Sequence, residues 1–353
     1  MRVLITGGAG FIGSSIALAL AERHDAWDIV VLDNLYRRGS ELNLPRLKAA
    51  GVTFLHGDVR QPDDLAQAGP IDALVECSAE PSVMASVDGG AGYVVQTNLV
   101  GAHHCLEHAA RHGAQVVFLS TSRVYPVAAL EALALHEGET RFELAARQPL
   151  AGAGPEGIAE DFPLTGARTL YGATKLAAEL LVTEYADAHG IATVVTRCGV
   201  VAGPWQMGKV DQGVFTHWML SFVLGRPLAY IGYGGGGKQV RDLLHVDDLV
   251  ALVEDQLERP EHWAGTTFNV GGGRAGSLSL LETTALCREI TGQDLELGSV
   301  ARTRPGDVPV YLSDCAALFA HAQWRPQRTP RMILEDIHSW IRANEPLVRS
   351  ALG

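Results

Sequence analysis

The chain has 353 residues, of which 47% are hydrophobic and 19% charged, so it is long and apolar enough to bury a sizeable core. This composition excludes a disordered or collagen-like chain. Lysine and arginine number 28 against 40 acidic residues, a formal net charge of -12, and no basic run offers a nucleic-acid footprint. We expect neither nucleic acid nor a membrane as a partner, since no stretch approaches the roughly 18 apolar residues of a membrane span.

The first half of the chain alternates short β-branched runs with longer amphipathic stretches, which is the pattern of βαβ units in a parallel sheet. The predicted strands are Arg2 to Thr6, Ile29 to Asp33, Val52 to His56, Ala73 to Glu76, Gln115 to Ser120 and Thr193 to Arg197. The predicted helices are Gly10 to Glu22, Val94 to His112 and Leu170 to His189. The expected fold class is α/β, a doubly wound parallel sheet of the Rossmann type with a smaller C-terminal lobe.

The second half of the chain is less regular. The segment 127–169 is rich in Ala, Glu, Gly and Pro, and we interpret it as an insertion at the mouth of a site. Later helical patterns, at Val246 to Leu257 and Leu278 to Thr291, mix with short strand-like pieces. We therefore predict a nucleotide-binding domain over residues 1–197 and a substrate-binding lobe over 198–353, with some later segments returning to the first domain.

Cysteine and acidic residues give no sign of a metal site. The five cysteines are widely spread and contain no Cys-x-x-Cys pair, which indicates neither a disulfide framework nor bound zinc. A reducing, cytoplasmic environment fits this usage best. We interpret the carboxylates Asp242, Asp247 and Asp248 as favourable charges at a helix start rather than as cation ligands. No bound metal is expected.

A glycine-rich turn, Gly7-Gly-Ala-Gly10-Phe-Ile-Gly13, follows the first predicted strand. Glycines at these offsets allow a tight turn and a close approach of the backbone to a pyrophosphate, whose charge the helix N-terminus meets. Asp33 ends the next strand about 20 residues on, where a carboxylate accepts hydrogen bonds from ribose hydroxyls and repels a 2′-phosphate. The spacing predicts dinucleotide binding and favours NAD, although Arg37 and Arg38 leave NADP open.

Tyr171 and Lys175 stand four residues apart at the start of a long predicted helix, so they share one face. A free tyrosine has a pKa of about 10 and is a poor base at neutral pH. A nearby lysine cation and a positive nicotinamide ring favour the phenolate, which brings Tyr171 into range for proton transfer. Ser120 and Thr121 supply hydroxyls at a strand C-terminus, where open α/β sheets place their sites.

Together these motifs resemble the extended short-chain dehydrogenase/reductase superfamily, the NAD-dependent nucleotide-sugar epimerases and dehydratases, over nearly the whole chain. Further matching segments are Gly57-Asp58-Val59, Gln96-Thr-Asn98-Leu-Val-Gly101, Arg241 to Asp248, Phe268 to Gly271 and Arg304 to Asp307. The resemblance implies catalysis by Thr121, Tyr171 and Lys175. It also implies a C-terminal lobe that holds a nucleoside diphosphate.

The resemblance implies further residues around the cofactor and the substrate. Those implied for NAD are Gly7, Gly10, Phe11, Ile12, Gly13, Asp33, Asn34, Arg37, Asp58, Val59, Ser78, Ala79, Asn98, Tyr171 and Lys175. Those implied for the substrate are Glu80, Ser122, Arg123, Gln212, Gly213, Arg241 and Arg304. The last two are expected to bind the pyrophosphate through charge-assisted hydrogen bonds.

Two positions distinguish the reaction types within this family. In the 4,6-dehydratases an Asp-Glu pair follows the catalytic threonine and carries out the elimination of water. Ser122 and Arg123 stand at those positions here, and neither can serve as the acid and base of an elimination. Dehydration is therefore disfavoured.

Other segments resemble the CDP-tyvelose (CDP-paratose) 2-epimerases, namely 209–215, 237–242 and Glu139-Thr-Arg-Phe142 within the insertion. The sequence departs from the family after the fourth predicted strand. Where the family usually has His-x-Ala-Ala/Gly, this chain has Glu76-Cys-Ser-Ala79-Glu80. This departure lies at the end of the site expected for the sugar and the nicotinamide.

We predict an NAD-dependent epimerase that oxidises a nucleotide sugar transiently, lets the ketone turn over and reduces its other face, with C2 of a CDP-linked deoxyhexose favoured. The alternatives are a UDP-sugar 4-epimerase, a net NAD(P)-dependent nucleotide-sugar dehydrogenase or reductase, and a non-catalytic dinucleotide-sensing protein. The resemblance also implies a homodimer or higher homo-oligomer, formed by the helix after Asn98 and the helix that starts near Tyr171.

Overall fold

The computed structural model describes residues 1–82, 89–207 and 213–352, and these group by their contacts into two compact units. Unit 1 comprises Met1–Val124, Leu170–Arg197 and Leu249–Thr267. Unit 2 comprises Tyr125–Thr169, Cys198–Asp248 and Phe268–Gly353.

The described residues form strands and helices in the following order. The strands are β1 (Arg2–Thr6), β2 (Asp28–Asp33), β3 (Thr53–His56), β4 (Ala73–Glu76), β5 (Gln115–Thr121), β6 (Leu135–Glu137), β7 (Phe142–Leu144), β8 (Ala153–Gly154), β9 (Gly157–Ile158), β10 (Thr193–Cys198), β11 (Val200–Ala202), β12 (Leu228–Ile231), β13 (Val240–His245), β14 (Thr266–Val270), β15 (Ser277–Ser279), β16 (Leu297–Val300) and β17 (Val310–Tyr311). The helices are α1 (Phe11–Arg23), α2 (Leu44–Ala49), α3 (Pro62–Ala66), α4 (Ala91–Val95), α5 (Gly101–His112), α6 (Val127–Glu131), α7 (Leu170–His189), α8 (Val214–Leu224), α9 (Val246–Glu258), α10 (Pro260–Trp263), α11 (Leu280–Thr291), α12 (Ala316–His321), α13 (Pro330–Ala343) and α14 (Glu345–Leu352).

A seven-stranded sheet organises unit 1, in the order β3-β2-β1-β4-β5-β10-β14. The pairings along β3-β2-β1-β4-β5 are all parallel. Val3, Leu4, Ile5 and Thr6 of β1 are each 0% exposed, as expected for a central strand that helices cover on both faces. The strand order reverses between β1 and β4, so the predicted α/β doubly wound fold is confirmed.

The six strands and three helices predicted for the first half of the chain are present, with bounds that differ by a residue or a few. The sheet has a seventh strand, β14, that the sequence interpretation missed. Its sequence, Thr-Thr-Phe-Asn-Val, has only two apolar residues, and its first two residues are half-buried. A polar and apolar alternation over only four residues is too short to identify a strand with certainty from the sequence.

The helix predicted over Val94 to His112 is interrupted by a π-helical turn at Gln96–Val100, which joins α4 to α5. A π turn closes its hydrogen bonds over five residues rather than four and is frequent at functional sites. Asn98 lies within it and is 1% exposed. Gly113, with a φ of +64°, then ends α5.

An apolar cluster fills the space between one face of the sheet and the helices α5 and α7. Its members include Leu74, Val116 and Phe118 from the strands, with Cys105, Leu106 and Ala109 from α5 and Ala178 and Val182 from α7. Burying a large apolar side chain of this kind stabilises the fold by about 1.5–3 kcal/mol. Burial in this cluster therefore holds α5 and α7 on the sheet.

Unit 2 contains smaller sheets. Strands β11, β13 and β15 pair in that order, β17 pairs with β13, and β12 pairs with β16. The segment 125–169 groups with this unit, whereas the sequence interpretation treated 127–169 as an insertion in the first domain. Backbone hydrogen bonds explain the difference, because Phe142 N donates to Lys238 O at 2.9 Å and Ile158 N donates to Leu312 O at 2.9 Å.

None of the helices in the described part of the chain combines the length and the apolar character that a membrane crossing needs.

Candidate active site

The glycine-rich turn joins β1 to α1. Gly7 has a φ of +63°, and a Cβ at this position would lie 2.9 Å from the carbonyl oxygen of Cys77. A Cβ on Gly13 would lie 2.4 Å from the carbonyl oxygen of Gly7. No side chain caps α1, so the amides of Phe11 and Ile12 at its start are available to an anion. The turn fits the close backbone approach that a dinucleotide pyrophosphate requires.

Asp33, at the end of β2, supports this turn. Its Oδ2 accepts a hydrogen bond from Ala9 N at 3.1 Å, and its Oδ1 accepts one from Leu35 N at 2.8 Å. Burial raises the pKa of Asp33, while these backbone donors act in the opposite direction. The carboxylate thus lies beside the glycine-rich turn, where the sequence predicted a ribose partner. Arg37 lies half-buried on the loop that follows.

A second carboxylate, Asp58, lies after β3. Asn34 Nδ2 donates to its Oδ2 at 2.8 Å, and Arg60 donates to both of its oxygens, at 2.9 and 2.6 Å. Burial acts to raise the pKa of Asp58, but the hydrogen bonds from Arg60 and Asn34 outweigh it and lower the pKa to about 2. The next residue, Val59, is 5% exposed, and its side chain packs against Gly101, where a Cβ would lie only 2.6 Å from Val59 Cγ2. Asn34, Asp58 and Val59, which the resemblance implies for the cofactor, therefore lie close together.

The loop after β4 is tied to the helix α7 through Asn98. The Asn98 Oδ1 accepts a hydrogen bond from Glu80 N at 2.8 Å, and its Nδ2 donates to Glu80 O at 3.1 Å. The same Nδ2 donates to Thr174 Oγ1 at 3.3 Å. Ser78 on this loop is 8% exposed, and Ala79 stands between it and Glu80. The π-helical turn thus aims Asn98 at both the loop and α7.

The three candidate catalytic residues all belong to unit 1. Thr121 is the last residue of β5, and its Oγ1 accepts a hydrogen bond from Arg123 N at 3.2 Å. Tyr171 and Lys175 lie in the first two turns of α7, which packs against β5 and against the turn Ser122–Val124. Tyr171 is half-buried and Lys175 is buried. This arrangement places a phenol and a cation on a helix that contacts the strand carrying the threonine.

Two features of this region were missed or left without a role by the sequence interpretation. Lys175 Nζ lies 3.2 Å from Oε2 of Glu76, and both side chains are buried. Glu179, one turn after Lys175, accepts hydrogen bonds from Ser120 and from Arg197, whose Nη2 lies 2.8 Å from its Oε2. The sequence did carry a signal for the Glu179 contacts, because a glutamate four residues after Lys175 stands on the apolar face of α7.

The substrate residues proposed for the C-terminal lobe lie in unit 2. Arg241 on β13 donates from Nη2 to Asp307 Oδ1 at 2.6 Å and to Val308 O at 2.7 Å. Arg304 is half-buried, and its carbonyl accepts a hydrogen bond from Asp307 N at 3.2 Å. Gly213, with a φ of +72°, precedes α8. Gln212 lies outside the described residues.

Within the described ranges, no group of three or more His, Cys, Asp or Glu side chains is arranged to hold a metal ion. Asp247 and Asp248 instead form ion pairs with Arg328, at 2.9 and 2.8 Å. Asp242 accepts backbone hydrogen bonds from Ser313 and Gly273. Asp247 and Asp248 are thus paired with a guanidinium, and Oδ2 of Asp242 is bonded by two backbone amides.

A doubly wound sheet with this glycine-rich turn and a Tyr-x-x-x-Lys helix defines a dinucleotide-dependent enzyme of the Rossmann fold. A model of the NAD dependent epimerase/dehydratase family matches residues 3–271. The chain belongs to this family; it is an enzyme, and NAD is its cofactor.

Comparison with individual proteins gives similar relatives of more than one reaction type. The chain is 29% identical to CDP-paratose 2-epimerase of Salmonella typhi, over 96% of this chain and 99% of that protein. It is 31% identical to dTDP-glucose 4,6-dehydratase of Streptomyces antibioticus, over 100% of this chain and 97% of that protein. Among solved structures, UDP-glucose 4-epimerase of Thermus thermophilus in complex with NAD superposes with a TM-score of 0.77, at 27% identity over 97% of this chain and 99% of that one.

Proposed function

We propose that this enzyme inverts C2 of a CDP-linked deoxyhexose, converting CDP-paratose to CDP-tyvelose, through transient oxidation with NAD. The observation that carries the proposal is the set Thr121, Tyr171 and Lys175 on β5 and α7, with Ser122 and Arg123 where a dehydratase would need an acid and a base. The similarity to the Salmonella typhi 2-epimerase, which extends over nearly the full length of both chains, supports the choice of sugar and carbon.

In the proposed mechanism Tyr171, as the phenolate, removes the proton from the hydroxyl at the reacting carbon. Thr121 hydrogen-bonds to the same oxygen. Lys175 holds the nicotinamide ribose, and its positive charge favours the phenolate. NAD, when bound, supplies a reversible acceptor for the hydride that leaves the carbon. After the ketone has turned over, Tyr171 returns the proton as the other face is reduced, so no cofactor is consumed.

We assign the nucleotide to the basic residues of unit 2. Arg241 and Arg304 are proposed to bind the pyrophosphate, because guanidinium groups form charge-assisted and often bidentate hydrogen bonds with phosphate oxygens. Asp307 holds Arg241 in place through the 2.6 Å ion pair and so keeps its guanidinium oriented. The cofactor is assigned to Gly7, Phe11, Ile12 and Gly13 around the pyrophosphate, and to Asp33 at the ribose.

The test is to incubate purified enzyme, without added cofactor, with CDP-paratose and with a panel of CDP-, UDP-, GDP- and dTDP-hexoses, and to follow the anomeric and C2 protons by NMR. Conversion of CDP-paratose alone to its C2 epimer is the expected result. In D2O the C2 position should keep its protium, because the hydrogen returns from the cofactor without exchanging with solvent.

Other outcomes would identify another reaction type. A 4-keto-6-deoxy product would overturn the assignment in favour of dehydration, the reaction named for the Streptomyces antibioticus relative. Inversion of a UDP-hexose at C4 would indicate the reaction named for the Thermus thermophilus enzyme. Turnover that appears only with added NAD or NADH, with a net redox change, would indicate a dehydrogenase or reductase.

A further inference from the structure

The last residue of β4, Glu76, places a carboxylate in the core of unit 1. It is 2% exposed, and its neighbours across the sheet are Thr6 on β1 and Phe118 on β5, neither of which is charged. The charge that meets it is that of Lys175, also 2% exposed, whose Nζ lies 3.2 Å from Glu76 Oε2. The same Nζ lies 3.9 Å from the centre of the Phe118 ring.

The other groups around this pair are neutral and compensate its charges only weakly. The buried thiol of Cys105 on α5 faces it, and the pKa of this thiol is raised well above its usual value by burial and further by the charge of Glu76. The backbone amide of Ser78 donates a hydrogen bond to the Glu76 carboxylate. Burial raises the pKa of Glu76, and the ammonium of Lys175 opposes this. Each charge is therefore kept in the core chiefly by the other.

We propose that Glu76 is a positioning residue, whose carboxylate keeps Lys175 protonated and fixes its ammonium on the face of α7 that carries Tyr171 one turn earlier. The proposal builds on the proposed roles of Tyr171 and Lys175. It also gives a purpose to the departure noted in the sequence, because the histidine usual in the family at this position is neutral or positively charged, whereas a glutamate carboxylate supplies a negative charge beside Lys175.

The proposal makes a directional prediction, because a negative charge raises the pH at which every nearby group loses its proton. Replacing Glu76 by a neutral residue should lower that pH for Lys175 and for the phenol of Tyr171 together. The acid limb of the pH-rate profile follows formation of the phenolate, and the alkaline limb follows loss of the lysine charge. Both limbs should therefore move to lower pH. A side chain with a purely structural role would reduce stability without moving them.

Lysine NMR tests the proposal without any substrate. The chain has four lysines, Lys48, Lys175, Lys209 and Lys238, so protein labelled with 13C at the lysine ε-carbon gives few signals, and Lys175→Arg identifies the one that matters. In Glu76→Gln the Lys175 signal should titrate about one pH unit or more lower than in the wild type. The other lysines serve as internal references. Glu254→Gln, which breaks a 2.5 Å ion pair with Arg23 elsewhere in unit 1, is the matched control and should not shift it.

Kinetics supplies the second readout. Glu76→Gln should lower kcat about tenfold or more near the wild-type optimum, with KM for the sugar changed less than threefold, and should move both limbs of the profile to lower pH. Glu76→Asp keeps the charge and should return the limbs towards their wild-type positions. If Glu76→Gln does not fold, Glu76→His takes its place, since histidine is the residue that the family resemblance implies at this position.

An unshifted Lys175 signal in the neutral variants overturns the proposal, whatever the enzyme's substrate proves to be. A pH-rate profile whose maximum falls while both limbs stay at their wild-type pH also overturns the proposal. If no tested sugar is converted while the Lys175 signal shifts as expected, the proposed substrate is wrong and the role of Glu76 in charging Lys175 stands.

Discussion

Tyr171 and Thr121 have unequal parts in the proposed chemistry. The phenolate moves a proton, whereas the threonine hydroxyl only bonds to the oxygen that loses it. Tyr171 is half-buried near the start of α7, and Thr121 is 8% exposed at the end of β5. Losing the proton carrier should therefore affect turnover more than losing the hydrogen bond.

We expect Tyr171→Phe to lower kcat by about 10²–10⁴-fold, since general-base catalysis contributes a factor of that size. The affinity for the nucleotide sugar should change little, because the phenyl ring remains. NMR turnover assays and calorimetric titration with the sugar measure the two quantities. Thr121→Val is the companion variant, with a smaller expected loss. Retention of wild-type turnover in Tyr171→Phe would contradict the assignment of the base.

Asp58 should contribute a pH-dependent part of the stability. Its pKa is lowered to about 2 in the fold, against about 3.9 for an unfolded chain, so its contribution is complete above pH ~4 and is lost as the pH falls towards 2. Asp58→Asn should be less stable than the wild type at pH 7, with the difference narrowing between pH ~4 and 2. Urea unfolding at pH 7, 5, 4 and 3 measures this. A constant difference across that range would contradict the expectation.

At the scale of elements, α7 is fixed in the core by polar as well as apolar contacts. Glu179 links the helix to Ser120 on β5 and to Arg197 on β10, and all three residues are buried. Since Tyr171 and Lys175 lie near the start of the same helix, this network bears on the position of the candidate catalytic groups.

We expect Glu179→Gln to reduce the free energy of unfolding by about 3–5 kcal/mol, because it leaves the guanidinium of Arg197 buried without a counter-charge. Glu184→Gln, on the exposed side of the same helix, should cost less than about 0.5 kcal/mol. Chemical denaturation of both variants gives the comparison. The double variant Glu179→Gln with Arg197→Met should recover part of the loss. Equal stability of the two glutamine variants would contradict a structural role for the buried network.

Periodicity predicted the elements that carry the site but not the contacts between them. The strands β1 and β4 and the helix α7 have the predicted bounds, because short apolar runs identify buried strands and apolar residues at helical spacing identify a helix. The pairing of Glu76 with Lys175 joins residues 99 positions apart, and no local pattern encodes it. The roles assigned to Thr121, Tyr171 and Lys175 stay predictions, because the structure gives their positions and not their chemistry.

At the scale of the whole molecule, the family resemblance predicts assembly through α5 and α7, and α7 exposes a large apolar side chain. Leu180 is 64% exposed, whereas most large apolar residues described are buried. Tyr185, five residues further along α7, hydrogen-bonds with Glu107 of α5 and lies 3.0 Å from His103 Nδ1. Five residues correspond to about 140° beyond a full helical turn, so Leu180 lies on another side of α7 from this contact with α5.

We expect Leu180→Glu to convert a dimer into a monomer, because it places a charge in the proposed interface. Light scattering coupled to size-exclusion chromatography measures the mass. Val300→Glu, at a residue of unit 2 that is 45% exposed, is the matched control and should leave the mass unchanged. A Leu180→Glu protein that keeps the wild-type mass would exclude this face as the main contact.

The π-helical turn at Gln96–Val100 takes up one residue more than a regular α-helical turn, because its hydrogen bonds close over five residues rather than four. Deleting one residue there would return the segment to regular α-helix with little rotation of α4 relative to α5. Tyr93 would therefore keep the ring of Tyr36, 4.6 Å away, and the guanidinium of Arg60, 4.8 Å from its centre. The wide turn that carries Asn98 would be lost, so a one-codon deletion here would disturb the hydrogen bonds of Asn98 with Glu80 while leaving both ends of the helix in place.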